Sequence, residues 1–303
     1  MANGPFTRRR LIQDIEAVRD GMLPGGPKTT GKVYYVSSGT GSDSYDGLSK
    51  TYPKATLAAA ISVATAAKSD VIMVMPGHTE SITGAAGITI NKSGLRITGV
   101  GNGRNRPVFT FSTSTAAQIV ISSADVMVEN CVFDLTGIDA ITAGFAVDAA
   151  DVGFVDCEFL TNSATAGVVS AITVGASTTS PRFYVRNCRF IGPATNSGTT
   201  TTAQITITDA PDFVIKDSYF TGKMTQAITN GAAVLRGSID NNRFVVATGT
   251  KAINMHASST PFISNNRINV PSGTAPIVAA AGFVCGNNYS AAAGVTAGTA
   301  ATL

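Results

Sequence analysis

The sequence has few of the residues from which most active sites and metal centres are built. Among 303 residues there is no tryptophan, histidine occurs twice, cysteine occurs four times, and charged residues make up 14%. Neither His78 nor His256 lies at a Cys/His spacing typical of zinc sites. The sequence therefore predicts no metal site and no cofactor.

The low net charge and the lack of long apolar runs argue against two further classes of protein. A formal net charge of +3 is too small to indicate a nucleic-acid partner. No apolar run reaches the ~18 residues that a membrane-spanning helix needs. The basic start, Met1–Arg10, is not followed by the apolar core of a secretory signal. We expect a soluble chain that is not exported by that route.

One short phrase recurs six times and organises most of the chain. In every copy the third position is apolar, the fifth is Asn or Asp, and the last is Phe or Ile. The copies are VMVENCVF (Val126–Phe133), VGFVDCEF (Val152–Phe159), FYVRNCRF (Phe183–Phe190), FVIKDSYF (Phe213–Phe220), GSIDNNRF (Gly237–Phe244) and PFISNNRI (Pro261–Ile268). Their last positions are separated by 26, 31, 30, 24 and 24 residues. Repeats of this length, carried by β-forming residues, are typical of a stacked β-solenoid.

A second apolar column keeps the same spacing one strand earlier in each repeat. Its members are Ile119, Phe145, Ile172, Ile205, Ile228, Ile253 and Ile277. Two columns in step mean that each repeat is one coil with at least two strands. Equivalent positions of neighbouring coils then stack about 4.8 Å apart and form one continuous core. The sequence predicts an all-β fold, a right-handed parallel β-helix.

The Asn/Asp column marks a tight corner between two strands of each coil. A short polar side chain tolerates left-handed backbone geometry and can satisfy the polar groups of a turn. Stacked corner residues can also hydrogen-bond to one another along the axis. The column consists of Asn130, Asp156, Asn187, Asp217, Asn241 and Asn265.

Three cysteines share the next column of consecutive coils. Stacked thiols could bind a metal or form a disulfide, but small thiols flanked by apolar residues are common in protein cores. No CxxC spacing supports a metal site, so a core role is the favoured interpretation. The column reads Cys131, Cys157, Cys188, Ser218, Asn242 and Asn266.

The start of the chain is predicted to be a helical arm followed by a linker. Apolar residues recur at helical spacing in Phe6–Met22, beside a basic cluster, and Leu23–Pro27 has the Pro and Gly of a linker. We favour an arm that docks on a partner over a helix folded back onto the solenoid. The residues expected at that interface are Arg8, Arg9, Arg10, Leu11, Ile15, Val18 and Met22.

The segment that follows predicts a strand over Lys32–Ser37, a helix over Ala55–Ala67 and a buried strand over Asp70–Met75. It contains the motifs Asp46-Gly47, Thr56-Leu57-Ala58-Ala59-Ala60-Ile61, Asp70-Val71-Ile72 and Pro76-Gly77. With these motifs the chain resembles pectin-lyase-like right-handed β-helix proteins, particularly those of bacteriophage tail spikes, over roughly residues 32–290. In that family the helix covers the open end of the solenoid, whose unpaired strands would otherwise promote aggregation.

Four regions follow from these patterns. Residues 1–27 form the N-terminal helical anchor arm and linker, and residues 28–69 form a first strand, a loop and the capping helix. Residues 70–290 form the parallel β-helix, and residues 291–303 are a tail rich in Ala, Gly and Thr.

Because the family includes polysaccharide lyases and hydrolases, a catalytic site is a possibility that the residues must support. Sugar hydrolysis generally uses two carboxylates, and elimination uses a base. The strongest constellation, on the expected outer face, comprises Asp156, Glu158, Arg186, Arg189, Lys216 and Asp217. The favoured interpretation is that these opposite charges pair across coils, so no catalytic residue is assigned. Only Tyr184 and Tyr219 are candidates for stacking against sugar rings.

Three weaker patterns have simpler explanations. Gly99–Gly103 resembles a phosphate loop, but no helix follows it. Asp43 and Asp46 could bind Ca²⁺, and an Asx turn is the favoured alternative. The column of Arg189, Arg243 and Arg267 could contact an acidic partner or form a solvated strip.

Together with these absences, the resemblance implies a non-enzymatic bacteriophage virion protein. We expect a capsid decoration or tail-associated projection, a homotrimer located in the virion and anchored by its arm to a capsid or tail protein. A host surface glycan is a further candidate partner. The alternative is a tail-spike depolymerase, a lyase or glycoside hydrolase acting on such a glycan.

Overall fold

The fold is seen in a computed structural model of the chain. It describes residues 29–163, 166–194, 201–247, 251–269, 277–278 and 288–290. The predicted arm, with its interface residues, and the C-terminal tail lie outside the described residues. The division of the chain into four regions stays a prediction.

The described residues form a parallel β-solenoid in which successive coils add strands to three sheets. Sheet A contains β1 (Val33–Val36), β2 (Val71–Val74), β5 (Arg96–Gly99), β8 (Val126–Glu129), β11 (Val152–Val155), β14 (Tyr184–Arg186), β17 (Val214–Lys216), β20 (Leu235–Asp240) and β23 (Thr260–Ser264). Sheet B contains β4 (Ile88–Ile90), β7 (Ile119–Ile121), β10 (Phe145–Val147), β13 (Ser170–Val174), β16 (Ala203–Ile207), β19 (Gln226–Asn230), β22 (Lys251–Asn254) and β25 (Ile277–Val278). Sheet C contains β3 (Thr79–Ile82), β6 (Val108–Phe111), β9 (Val132–Asp134), β12 (Glu158–Leu160), β15 (Arg189–Ile191), β18 (Tyr219–Gly222), β21 (Arg243–Val246), β24 (Arg267–Asn269) and β26 (Tyr289–Ser290).

The predicted columns are stacked as expected. In sheet C, Phe159 pairs in register with Phe133 and Phe190, and the phenylalanine rings of consecutive coils lie 4.7–5.6 Å apart from Phe109 to Phe244. The second column lies in sheet B, where Phe145 pairs with Ile119 and Ile172. Both columns are buried in one core. The prediction of a parallel β-helix is confirmed.

The column that begins with cysteine changes from thiol to amide side chains along the solenoid axis, and its asparagines form hydrogen bonds. The Asn242 amide donates to Ile215 O (2.9 Å) and to Asn266 Oδ1 (3.1 Å), while Asn242 Oδ1 accepts the Ser218 N–H (2.9 Å). Asn266 repeats this pattern with Ile239 O and Asn288. This buried asparagine ladder satisfies backbone groups that the turn would leave unpaired.

The three thiols at the other end of this column are buried and free of disulfides. Burial is the main cause that raises the pKa of the Cys131 and Cys188 thiols, and neighbouring Cys157 raises both further. Because the thiolate is the reactive form, we expect Cys131 and Cys188 to resist alkylation at neutral pH until the protein is denatured. Peptide mapping by mass spectrometry checks this. Equal labelling rates in folded and denatured protein would contradict it.

A short helix, α1 (Leu57–Val63), packs against the first coil through Leu57, Ala60 and Ile61. Thr56 Oγ1 accepts the Ala59 N–H (3.2 Å), so Thr56 is its N-cap. The helix is shorter than the predicted Ala55–Ala67. It ends early because Ala64 is extended and Asp70 Oδ2 accepts the Thr65 N–H (2.8 Å). That α1 closes the end of the solenoid stays a prediction.

Two side chains connect α1 to the first coil. Glu80 Oε2 accepts the Leu57 N–H (2.8 Å) and lies 3.1 Å from His78 Nε2. His78 Nδ1 accepts the Ser38 N–H (2.9 Å), so the Nε2 proton points to Glu80. The buried His78 is thus used in structural hydrogen bonds.

The corner between sheets B and A is held differently from the Asn/Asp corner. It stacks left-handed residues with φ of 58° to 60°, namely Asp125, Asp151, Arg182, Asp212 and Arg236. Arg182 pairs with Asp151, and Arg236 with Asp212. Hydrogen bonds from these guanidinium groups lower the pKa of both carboxyls. Exposed pairs of this kind contribute little to stability.

Candidate functional site

The corner between sheets A and C carries most of the polar side chains predicted to lie together. Its six corner residues adopt left-handed φ values of 52° to 57°, as predicted for the Asn/Asp column: Asn130, Asp156, Asn187, Asp217, Asn241 and Asn265. Hydrogen bonds run along the axis, since Asn187 donates to Asp156 and Asn241 donates to Asp217 (2.8 Å). This corner is therefore a rigid polar ridge between two sheets, and we call it the A–C ridge.

A surface depression of about 420 Å³ lies on the A–C ridge. It is lined by Asn187, Cys188, Arg189, Asp217, Ser218, Tyr219, Asn241 and Arg243. The Arg243 guanidinium lies over the Tyr219 ring, 5.4 Å from its centroid. The depression thus combines amide and carboxylate groups with cations and one aromatic ring.

Glu158 stands beside the depression, in register with Arg189 on the next strand. One of its oxygens, Oε2, is bound by Arg106, and the other, Oε1, lies 3.6 Å from Arg189 Nη1. Arg106 Nη1 also lies 3.4 Å from Asp156 O. Glu158 is mostly buried between the two guanidinium groups, with a side chain 13% exposed. Among the described residues, the contact of Oε1 is this 3.6 Å ion pair, and no shorter hydrogen bond to that oxygen is seen.

The sequence pattern does not mark Arg106 as a site residue, although a signal for it exists. Val108 and Phe109 pair in register with Val132 and Phe133, so the segment ending at Phe109 is an unrecognised earlier coil. In that alignment Arg106 lies three residues before Phe109, as Asn130 lies three residues before Phe133, although the Arg106 backbone is extended (φ −63°). From there its long side chain reaches Glu158 two coils away.

The predicted pairing of charges across coils is only partly right. Glu158 approaches Arg189, but Asp156 and Asp217 bond to asparagine amides. Asp240, the strand neighbour of Lys216, is bonded to Ser264 and Asn265. Among the described residues, four cations on or beside the A–C ridge form no ion pair with a carboxylate: Arg186, Lys216, Arg243 and Arg267. Asp156, Asp217 and Asp240 keep their negative charge, because hydrogen bonds from neutral groups do not neutralise a carboxylate. They offset part of the positive charge, and the cations of the ridge still outnumber its carboxylates.

The two candidate tyrosines differ in their surroundings. Tyr219 borders the depression. Tyr184 lies flat over Gly153, where an added Cβ would come within 2.2 Å of the ring, and its hydroxyl contacts Met127. Burial, and next the charge of Glu129, raise the pKa of Tyr184. Only Tyr219 is placed to meet a ligand on the ridge.

The loop acids have structural partners. Asp43 Oδ1 accepts the N–H groups of Ala55 and Thr56, and Asp46 Oδ1 accepts the Leu48 N–H (3.0 Å). The Asp46 bond is an Asx turn, as favoured from the sequence. Within the described ranges, no group of three or more His, Cys, Asp or Glu residues is placed to hold a metal ion. No helix in that part of the chain is long and apolar enough to span a membrane.

Comparison with known proteins identifies the architecture. No protein-family profile matches the sequence, and no curated protein matches it. Among solved structures, a rhamnogalacturonan lyase is similar, with a TM-score of 0.58 and 16% identity over 79% of this chain and 69% of that chain. Pectate lyase Pel9A has a TM-score of 0.44 and 18% identity over 86% and 80% of the two chains. A GH136 lacto-N-biosidase from Eubacterium ramulus has a TM-score of 0.40 and 11% identity over 93% and 69%.

The chain thus has the pectin-lyase-like parallel β-helix fold. The prediction of a non-enzymatic protein is corrected by this comparison, because a solved structure with the same architecture, at a TM-score of 0.58, is a rhamnogalacturonan lyase. That prediction treats the solenoid as a purely structural rod. The same architecture carries catalysis elsewhere, because outward side chains can vary while the inward columns keep the fold.

Proposed function

We propose that this protein is a polysaccharide depolymerase that cleaves an acidic glycan by elimination on the A–C ridge. The observation that carries the proposal is the set of cations on or beside the A–C ridge that form no ion pair with a described carboxylate, namely Arg186, Lys216, Arg243 and Arg267. Arg243 lines the depression itself, together with Arg189. The similarity in fold to a rhamnogalacturonan lyase supports the reaction class.

The geometry of the ridge suits an extended sugar chain. Parallel strands about 4.8 Å apart present one side chain per coil along each column, a rise comparable to the length of one sugar unit. Guanidinium groups favour carboxylates, which they can bind through two hydrogen bonds. A glycan lying along the ridge would place uronate groups against Arg189 and Arg243, with a ring face near Tyr219.

Glu158 is the residue we assign as the base. In the proposed step its Oε1 takes the proton from the carbon that bears the uronate carboxylate. The C–H electrons form a carbon–carbon double bond, the glycosidic C–O bond breaks, and the leaving oxygen takes a proton from water. Arg189 would stabilise the charge that develops on the substrate carboxylate. Arg106 fixes the orientation of Glu158 by holding Oε2.

The test is a cleavage assay on polygalacturonate and on a neutral glucan, with two readouts. Elimination gives new reducing ends together with the ultraviolet absorbance of an unsaturated product. We expect Glu158→Gln to lower the rate about 10²- to 10⁴-fold, as for loss of a general base. Arg182→Ala, which removes an arginine paired with Asp151 at the other corner, should leave the rate unchanged. Thermal unfolding controls for the fold of each variant.

Three results would count against this proposal. Reducing ends without the absorbance would indicate hydrolysis. Cleavage of the neutral glucan but not of polygalacturonate would show that the cations do not select the substrate by binding its carboxylates. Equal activity of Glu158→Gln and the unaltered protein would exclude Glu158 as the base.

The homotrimer and the virion location remain proposals alongside this activity. An enzyme displayed on a phage particle would contact the glycan on the host surface before the particle reaches the host membrane. Sedimentation of the purified full chain tests the trimer, and a monomer at micromolar concentration would contradict it. Loss of particle association after deletion of residues 1–26 tests the anchor arm.

A further inference from the structure

Exposed apolar side chains are concentrated in the loop between β1 and α1. Of the six large apolar residues exposed in the described part of the chain, three lie there: Tyr45 (37% exposed), Leu48 (45%) and Tyr52 (56%). The Tyr45 and Tyr52 rings form an edge-to-face pair with centroids 5.3 Å apart and an interplanar angle of 82°. Because the rings are nearly perpendicular, the pair offers aromatic surface in two directions.

The loop that carries these rings is held in one conformation. The Asp43 carboxylate accepts N–H groups from Ala55 and Thr56, and Lys54 Nζ donates to Asp43 O (2.9 Å). Gly47, with φ of 76°, accepts the Tyr35 N–H (2.7 Å) and donates to Tyr52 O (3.2 Å). A ligand would therefore meet a surface that is already ordered, with little entropy lost on binding.

The size and composition of this surface favour a sugar over a protein. A stable protein interface uses about 20–30 residues a side, and this surface offers three apolar side chains. Serine hydroxyls lie in the same loop, where Ser42 and Ser44 are bonded to each other (2.8 Å) and Ser49 Oγ accepts the Tyr52 N–H (3.2 Å). A pyranose has C–H faces that pack on aromatic rings and hydroxyl groups at its edge that form hydrogen bonds. A surface with both aromatic rings and hydroxyl groups suits such a ligand.

We propose that Tyr45, Leu48 and Tyr52 form a second, non-catalytic glycan-binding site, which we call the tyrosine site. Its ligand class is a pyranose chain whose ring faces pack on the two tyrosines. The proposal rests on the proposed function only for the identity of the glycan. In sheet A, β1 is five strand spacings, or about 24 Å, from β14 beside the depression. One long glycan could therefore contact both sites.

The test is affinity electrophoresis of the full chain in gels that contain polygalacturonate or a neutral glucan. We expect the unaltered protein to be retarded by at least one glycan, and the double variant Tyr45→Ala/Tyr52→Ala to bind about tenfold more weakly. The matched control is Phe262→Ala, which removes another exposed aromatic ring (50% exposed) and should be retarded like the unaltered protein. Absence of tryptophan lets tyrosine fluorescence report binding of oligosaccharides independently.

The outcomes separate this proposal from the proposed function. Retardation that depends on Tyr45 and Tyr52 supports the tyrosine site even if no glycan is cleaved. Equal retardation of the double variant overturns it, even if cleavage at the ridge occurs. Absence of retardation by both glycans, or equal loss in Phe262→Ala, also overturns it. Comparing thermal unfolding of the variants identifies any loss that comes from misfolding.

Discussion

Replacing Phe190 with alanine should destabilise the protein by about 3–5 kcal/mol, the usual cost of removing a buried phenylalanine. Phe190 is fully buried and lies between Phe159 and Phe220, with centroid distances of 4.7 Å to each and rings within 4° of parallel. The substitution removes both ring contacts and leaves a cavity in the middle of the solenoid. Urea unfolding followed by circular dichroism measures the loss.

The matched control is the same substitution at Phe262, half of whose surface is exposed. We expect a cost of about 1 kcal/mol or less there, because little buried area is lost. In a stacked array each coil contacts only its neighbours, so a defect at Phe190 should also broaden the unfolding transition. Similar costs at Phe190 and Phe262 would contradict the stacked core.

Replacing Asn242 with aspartate should cost more than about 3 kcal/mol at neutral pH, although the two side chains have the same shape. The side chain is buried, and its amide donates to Ile215 O and to Asn266 Oδ1. A carboxylate would face both acceptors without a proton and would be an unpaired buried charge.

The same variant should show a defined pH dependence. Burial and facing oxygens favour the neutral acid, so the introduced carboxyl has a raised pKa in the folded state. The deficit is then full above that raised pKa and shrinks as pH falls toward ~3.9, the unfolded value. Unfolding midpoints between pH 4 and pH 8, measured against the unaltered protein, check this. A constant deficit across that range would show that ionisation is not its cause.

Asn254→Asp is the appropriate comparison for Asn242→Asp. Asn254 is only half-buried and makes one long contact, 3.4 Å to Thr229 Oγ1. A carboxylate there stays hydrated, so we expect a change of less than about 1 kcal/mol with little pH dependence.

The fold could be predicted from the sequence because each coil repeats its inward residues. Phe133, Phe159 and Phe190 are separated by unequal distances, yet the structure pairs them in register. Burial on the inner face leaves no freedom for a one-residue slip, which would turn the whole apolar column outward. The extra residues of longer repeats therefore had to be loops.

The candidate site could be predicted only in part. Spacing placed Glu158 and Arg189 on adjacent strands, but it could not show that Asp156 and Asp217 bond to amides and leave nearby cations unpaired. That outcome depends on side-chain conformations, which a repeat pattern does not encode. The exposure of Tyr45 and Tyr52 likewise depends on a loop without a repeat.

The unequal spacing of the repeats has a consequence for how such a chain can change over time. Consecutive Phe positions are 24 to 31 residues apart, while the paired strands remain in register. Insertions and deletions of residues thus fall in the loops between strands, and the packing of the core stays the same. Outward-facing residues of one coil can be substituted while the other coils keep their sequence. The binding preference of the outer surface can therefore change while the fold is retained.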